Sequence, residues 1–68
     1  MNRTPVSSSN LVSVGYENGT LEVEFKDSIY QYHNVPESLY RGLMSASSKG
    51  SYLDQYIKKA GFSYTKIR

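Results

Sequence analysis

Two stretches of this chain alternate apolar and polar residues with a period of two. Val12, Val14 and Tyr16 alternate with Ser13 and Gly15, and Leu21, Val23 and Phe25 alternate with Glu22 and Glu24. That period marks half-buried strands, because successive side chains of a strand point to opposite faces. Glu17-Asn18-Gly19-Thr20 lies between them. Asn-Gly is the favoured pair for a type I′ hairpin turn, whose two central positions both need positive φ. Such a turn sets Glu17 opposite Thr20, Tyr16 opposite Leu21, Val14 opposite Val23 and Val12 opposite Phe25. Each apolar residue of one strand then meets an apolar residue of the other, and a slip of one residue would destroy the match.

A third strand follows. With Lys26-Asp27 as a two-residue loop, Phe25 faces Ser28, Val23 faces Tyr30 and Leu21 faces Tyr32. Tyrosines at i and i+2 of a strand share a face, so Tyr30-Gln31-Tyr32 is either core or a platform for stacking bases. The expected register turns both rings inward and sends Ile29, Gln31 and His33 to the other face beside Glu22 and Glu24. A shift by one would bury Gln31 and His33 in place of two aromatics, which costs more.

From Val35-Pro36-Glu37 the period lengthens to that of a helix. Proline suits the first helical position, and Glu37 complements the helix dipole. Leu39, Leu43 and Ala46 form the buried stripe, with Tyr40 and Met44 on its flank. Ser47-Ser48-Lys49-Gly50 reads as a break. Ser51 with Asp54 three residues on resembles a capping box that opens a second helix. Leu53, Ile57 and Ala60 face inward, and Gly61 closes the helix. Residues 1–9, with their Ser7-Ser8-Ser9 run, read as a loose N-terminal arm, and Phe62 to Arg68 as an extended tail. The predicted fold class is α+β: a three-stranded antiparallel β-meander followed by two helices packed on one face (β-β-β-α-α), one domain over residues 1–68. Its expected core is Tyr16, Leu21, Val23, Phe25, Tyr30, Tyr32, Leu39, Leu43, Leu53 and Ile57.

Composition narrows the function. The chain has 68 residues, so it buries only about 60% of its unfolded surface and is marginally stable. It has no cysteine, which removes disulfides and thiolate metal sites. The N-terminus shows no apolar run of a signal peptide, and no stretch approaches the roughly 20 apolar residues that span a bilayer. A cytoplasmic protein without a membrane partner is expected. The net charge of +2 permits a nucleic-acid partner without requiring one. The charge is unevenly placed: Glu17, Glu22, Glu24 and Asp27 lie early, and Lys49, Lys58, Lys59, Lys66 and Arg68 lie late.

The residues so far described resemble the KTSC domain, named for its occurrence at the C-terminus of some lysyl-tRNA synthetases and found also in stand-alone bacterial and phage-type proteins of about this length. The resemblance runs from about Val6 to the C-terminus. It rests on Ser8-Ser9-Asn10, Val14-Gly15-Tyr16, Leu21-Glu22-Val23-Glu24-Phe25, Tyr30-Gln31-Tyr32, Val35-Pro36, Tyr40, and Ser48-Lys49-Gly50-Ser51-Tyr52-Leu53 followed by Ile57. Ser28 departs from it, since the family often has glycine there. The resemblance implies RNA binding only through the association with a synthetase, an analogy of context that assigns no site residues.

Candidate chemistry is sparse. His33 is the single histidine. With no cysteine and no Ser/Asp pair of diagnostic spacing, it builds neither a nucleophile–base pair nor a metal site. No enzyme activity, cofactor or metal is expected. Ser47-Ser48-Lys49-Gly50 could hold an anion through backbone N–H groups, but it lacks the full phosphate-loop pattern and reads more simply as a turn and cap. Glu22 and Glu24 read as the solvated face of a strand, and an acidic face repels phosphate. The strongest candidate is Tyr52 and Tyr56, one turn apart on the second helix near Lys49 and Lys59, extended by Tyr64, Lys66 and Arg68. Aromatics interleaved with cations are the ingredients of a surface for RNA or other single-stranded nucleic acid. The plainer alternative is a helix whose tyrosines pack on the rim and whose lysines are solvated. The leading expectation is a small non-catalytic binding module for RNA or single-stranded nucleic acid. The alternative is a protein–protein interaction module, either self-associating or docking as an inhibitor or adaptor. Tyrosine is enriched at interfaces, and the third strand would leave an edge that another chain could pair with. A small-molecule or nucleotide pocket between sheet and helices is a third possibility on which the sequence is silent.

Overall fold

The Asn18-Gly19 turn folds as its sequence demands, with φ of 50° at Asn18 and 82° at Gly19. The computed structural model describes all 68 residues. Strands β2 (Leu11–Glu17) and β3 (Thr20–Phe25) pair with Glu17 opposite Thr20, Tyr16 opposite Leu21 and Val14 opposite Val23. Strand β4 (Ile29–Tyr32) pairs with β3, placing Tyr30 opposite Val23 and Tyr32 opposite Leu21. The Phe25 N–H donates to the Ser28 carbonyl at 2.7 Å, closing the two-residue Lys26-Asp27 loop.

The sheet has five strands rather than three, in the order β1-β2-β3-β4-β5. The arm expected to be loose supplies β1 (Thr4–Pro5), antiparallel to β2. The tail supplies β5 (Tyr64–Lys66), antiparallel to β4. Each short strand pairs part of an edge that a three-stranded meander would leave open. The edge expected to be free on β4 is therefore occupied. Proline in β1 suits an edge strand, because it lacks an N–H to donate.

Val12 does not face Phe25. A bulge between Leu11 and Ser13 puts Leu11 opposite Phe25, and Val12 is 40% exposed. A bulge sets two residues against one and reverses the facing of everything beyond it. Leu11 thus becomes the buried residue, although both side chains are apolar.

Helix α1 (Glu37–Ser45) and helix α2 (Lys49–Leu53), which continues as a π-helical turn (Asp54–Lys58), cover one face of the sheet. Leu43, Leu53 and Ile57 meet Leu11, Val14, Leu21, Val23, Tyr32 and Val35 in one core. Tyr16, Phe25, Tyr30 and Leu39, expected in that core, are only partly buried and ring it. Tyr16 stacks on Tyr40 with centroids 5.0 Å apart, and its hydroxyl donates to the Val35 carbonyl at 2.5 Å. Pro36 is the N-cap of α1, and Glu37 opens the helix proper. The π turn is closed by an i→i+5 bond, Lys59 N–H to the Asp54 carbonyl at 3.0 Å. The helix then unwinds before Gly61, whose φ is +85°, and Ala60 is exposed rather than inward. No helix is long and apolar enough to cross a membrane.

Candidate nucleic-acid interface

Ser48, not Ser51, caps α2 by position, and its hydroxyl donates to Ser51 Oγ at 3.1 Å. The expected Ser51–Asp54 capping box does not form. Asp54 instead pairs with Lys58 at 3.3 Å, one turn on. With Leu53 and Ile57 buried, the helix presents two flanks, one toward α1 and one toward the β3–β4 hairpin.

Tyr52 and Tyr56 occupy the α1 flank, their ring centroids 4.6 Å apart. Tyr52 is half-buried because Gly42 of α1 leaves room for it: a Cβ at Gly42 would stand 2.1 Å from the Tyr52 hydroxyl oxygen. Tyr56 is 49% exposed. Lys59 is exposed and forms no ion pair. The other cations do not join this group. Lys49 donates to the Ala46 carbonyl at 3.0 Å, tying α2 to the end of α1. Lys66 lies opposite Tyr30 in the sheet. Arg68 reaches the far face of the sheet and meets Glu24 at 3.3 Å. The six expected residues therefore divide: Tyr52 and Tyr56 pack ring against ring, Lys59 caps the end of the same helix, and Lys49, Lys66 and Arg68 stand elsewhere.

The hairpin flank was missed from the sequence. There Lys58 lies over the Phe25 ring, 5.2 Å from its centroid. Strand β5 brings Tyr64 opposite Tyr32, so Tyr30, Tyr32 and Tyr64 form one aromatic group with centroids 5.7 to 6.3 Å apart. These rings, with Phe62, line a cleft of about 680 Å³. Desolvation, helped by the neighbouring Tyr30 and Tyr64, pushes the Tyr32 hydroxyl above its ordinary pKa.

The acidic face of the sheet is not solvated. Glu22 is 6% exposed and Ser13 is buried beside it. Arg3, from the arm, donates to the Glu22 carboxylate and, through Nε, to Ser13 Oγ at 3.0 Å. Ser13 in turn donates to Glu24 at 2.7 Å, and Gln31 donates to Glu22 at 2.8 Å. The Gln31 hydrogen bond and the Arg3 guanidinium outweigh burial and hold the Glu22 carboxyl below the ordinary glutamate value. Gly15 makes the arm's approach possible, since a Cβ there would lie 2.5 Å from the Asn2 carbonyl oxygen. His33 leans on Thr65 of β5 at 2.9 Å.

Ser8-Ser9-Asn10 and Ser48-Lys49-Gly50-Ser51, far apart in the chain, line one polar hollow. Ser8 Oγ accepts from the Asn10 and Leu11 N–H groups at 3.3 Å, starting β2. A Cβ at Gly50 would stand 3.2 Å from the Asn10 side chain. This is a packing junction between the start of the sheet and the start of α2.

No curated protein matches the chain. A crystal structure of a KTSC domain protein from Yersinia pestis superposes with a TM-score of 0.91 at 44% identity, covering 98% of this chain and 97% of that one. The KTSC domain model matches residues 7–62, from the serine run that precedes β2 to the phenylalanine that follows the second helix. On sequence and fold together, this chain belongs to the KTSC domain family.

Proposed function

We propose that this protein is a non-catalytic, cytoplasmic binding module for single-stranded nucleic acid, RNA foremost, engaged through Tyr52, Tyr56 and Lys59. The observation that supports this reading is the half-exposed Tyr56 ring, braced by Tyr52, with Lys59 three residues on at the end of the same helix and in no ion pair. A braced ring loses little conformational freedom when a base stacks on it, and base–aromatic stacking contributes about 1–3 kcal/mol per base. With so few free cations, the affinity is modest and the salt slope shallow, about −0.7 per phosphate neutralised. Titrating labelled single-stranded RNA at low and moderate salt tests the reading. Binding that weakens with salt and is lost in Tyr56→Ala is expected. Failure to bind at low salt, or an affinity that ignores salt, overturns it. The protein-docking alternative keeps its tyrosines, but β5 fills the β4 edge, so the strand open to pairing is the short β5. Light scattering that shows a dimer would favour it.

A further inference from the structure

The cleft on the other flank of the second helix is a distinct site, and it goes beyond the strand-binding face. Its volume, about 680 Å³, lies in the range of small-ligand pockets. Five aromatic rings line it: Phe25, Tyr30, Tyr32, Phe62 and Tyr64. Tyr30 and Tyr32 lie nearly parallel, at 19°, like adjacent tiles. Tyr64 tilts against both at 36° and 43° and is 62% exposed, so one wall is free to adjust to a guest. Tyr32 is 5% exposed, yet its hydroxyl has no protein hydrogen-bond partner and is not sealed from solvent. A largely buried side chain with an unused donor and acceptor on a cleft wall suits a guest with a polar edge.

Charge decides the class of guest. Tyrosine-lined cages often take methylated ammonium groups by cation–π attraction. Here the cation is already supplied, because Lys58 sits over Phe25. No carboxylate lines the cleft; Asp54 beside it is paired with Lys58 at 3.3 Å, so that pair adds a hydrogen-bond donor but no net charge. Lys66, opposite Tyr30 on the same face of the sheet, supplies the positive charge that has no acidic partner. A flat ring with a hydrogen-bonding edge and a negative tail satisfies all of these features.

We propose that this cleft binds a single nucleotide, with the base stacked on the Tyr30–Tyr32–Tyr64 surface, its polar edge at the Tyr32 hydroxyl, and its phosphate toward Lys58 and Lys66. The nucleotide is either free or the phosphorylated end of a strand, since both carry this chemistry.

Two-dimensional NMR of the tyrosine rings, during titration with the four ribonucleoside monophosphates, their nucleosides and choline, tests the proposal. Saturable shifts at Tyr30, Tyr32 and Tyr64 are expected, tighter for nucleotides than for nucleosides and absent for choline. Tyr64→Ala, at an exposed position, weakens binding about fivefold to a hundredfold while circular dichroism shows the fold intact. Lys58→Gln removes the preference for nucleotide over nucleoside. A short RNA with a 5′ phosphate that matches the monophosphate identifies the strand end as a source; no gain over the monophosphate-free strand identifies the free nucleotide. Absence of saturable shifts at these rings with every monophosphate, or shifts with choline instead, overturns the proposal. Shifts confined to Tyr52 and Tyr56 overturn it as well and leave the strand-binding face standing.

Discussion

The two faces of this sheet are both covered, but by different physics. On the helix side, Val14, Leu21 and Val23 are sealed by Leu43, Leu53 and Ile57. That contact is apolar and non-directional, so it depends on volume and tolerates changes of shape that conserve it. On the other side, a single arginine from the arm spans Glu22 and Ser13 and comes within 3.8 Å of Glu24. That contact is directional and needs the fork of a guanidinium. One face would lose stability gradually under substitution. The other depends on one residue, because removing Arg3 leaves a buried carboxylate with only Gln31.

The largest test of this contrast is Leu43→Ala. It leaves a cavity at a fully buried site and should cost about 2–5 kcal/mol in denaturant unfolding. Arg3→Ala comes next, at about 1–3 kcal/mol, the cost of an unsatisfied buried charge. Arg3→Lys should recover only part of this loss, since a lysine cannot serve Glu22 and Ser13 in the same geometry. If lysine restores full stability, the directional reading of that face fails.

The pH dependence is a smaller effect and separates the faces. The folded Glu22 carboxyl titrates below its ordinary value of 4.5, so its stabilisation is present above that pH and is lost as pH falls through and below it. The loss should shrink in Arg3→Ala, which removes the guanidinium but keeps Gln31. Tyr32 works in the opposite direction at the alkaline end. Its folded value lies above the ordinary 10.0, so its contribution holds below that pH and is lost as pH rises beyond it. Thermal unfolding from acid to alkali measures both, and a curve flat below pH 4.5 would remove the Glu22 argument. The smallest expected effect is Tyr56→Ala, within about 0.5 kcal/mol because the ring is a surface one, while its RNA binding falls.

The centre of the sheet was legible because local chemistry determined it. Asn18-Gly19 permitted one turn, that turn permitted one register, and the register turned Tyr30 and Tyr32 toward the helices. The edges were not legible. A strand of two residues and one of three are too short to show a period, and what recruits them is the open edge of a neighbour. Leu11 and Val12 are both apolar, so nothing in the pattern located the bulge. The Arg3 clamp joins residues 19 apart, and no local pattern announces an ion pair at that distance. The candidate site divides in the same way. Tyr52 beside Tyr56 follows from helical spacing. The cleft needed Tyr64 carried in by β5 and Lys58 swung over Phe25 by the π turn, and both are products of the finished fold.

The order of strands along the sheet also says how the chain can assemble. Four strands lie side by side in the order they leave the ribosome, joined by short loops, and each of these pairings closes a small circle of chain. The last is different: Thr65 meets His33 across 32 residues, with both helices in between. The hairpins can form in microseconds on their own, whereas β5 must wait for the helices to settle. It should be the final strand to dock and the first to come away, so the aromatic cleft it completes exists only once folding has finished.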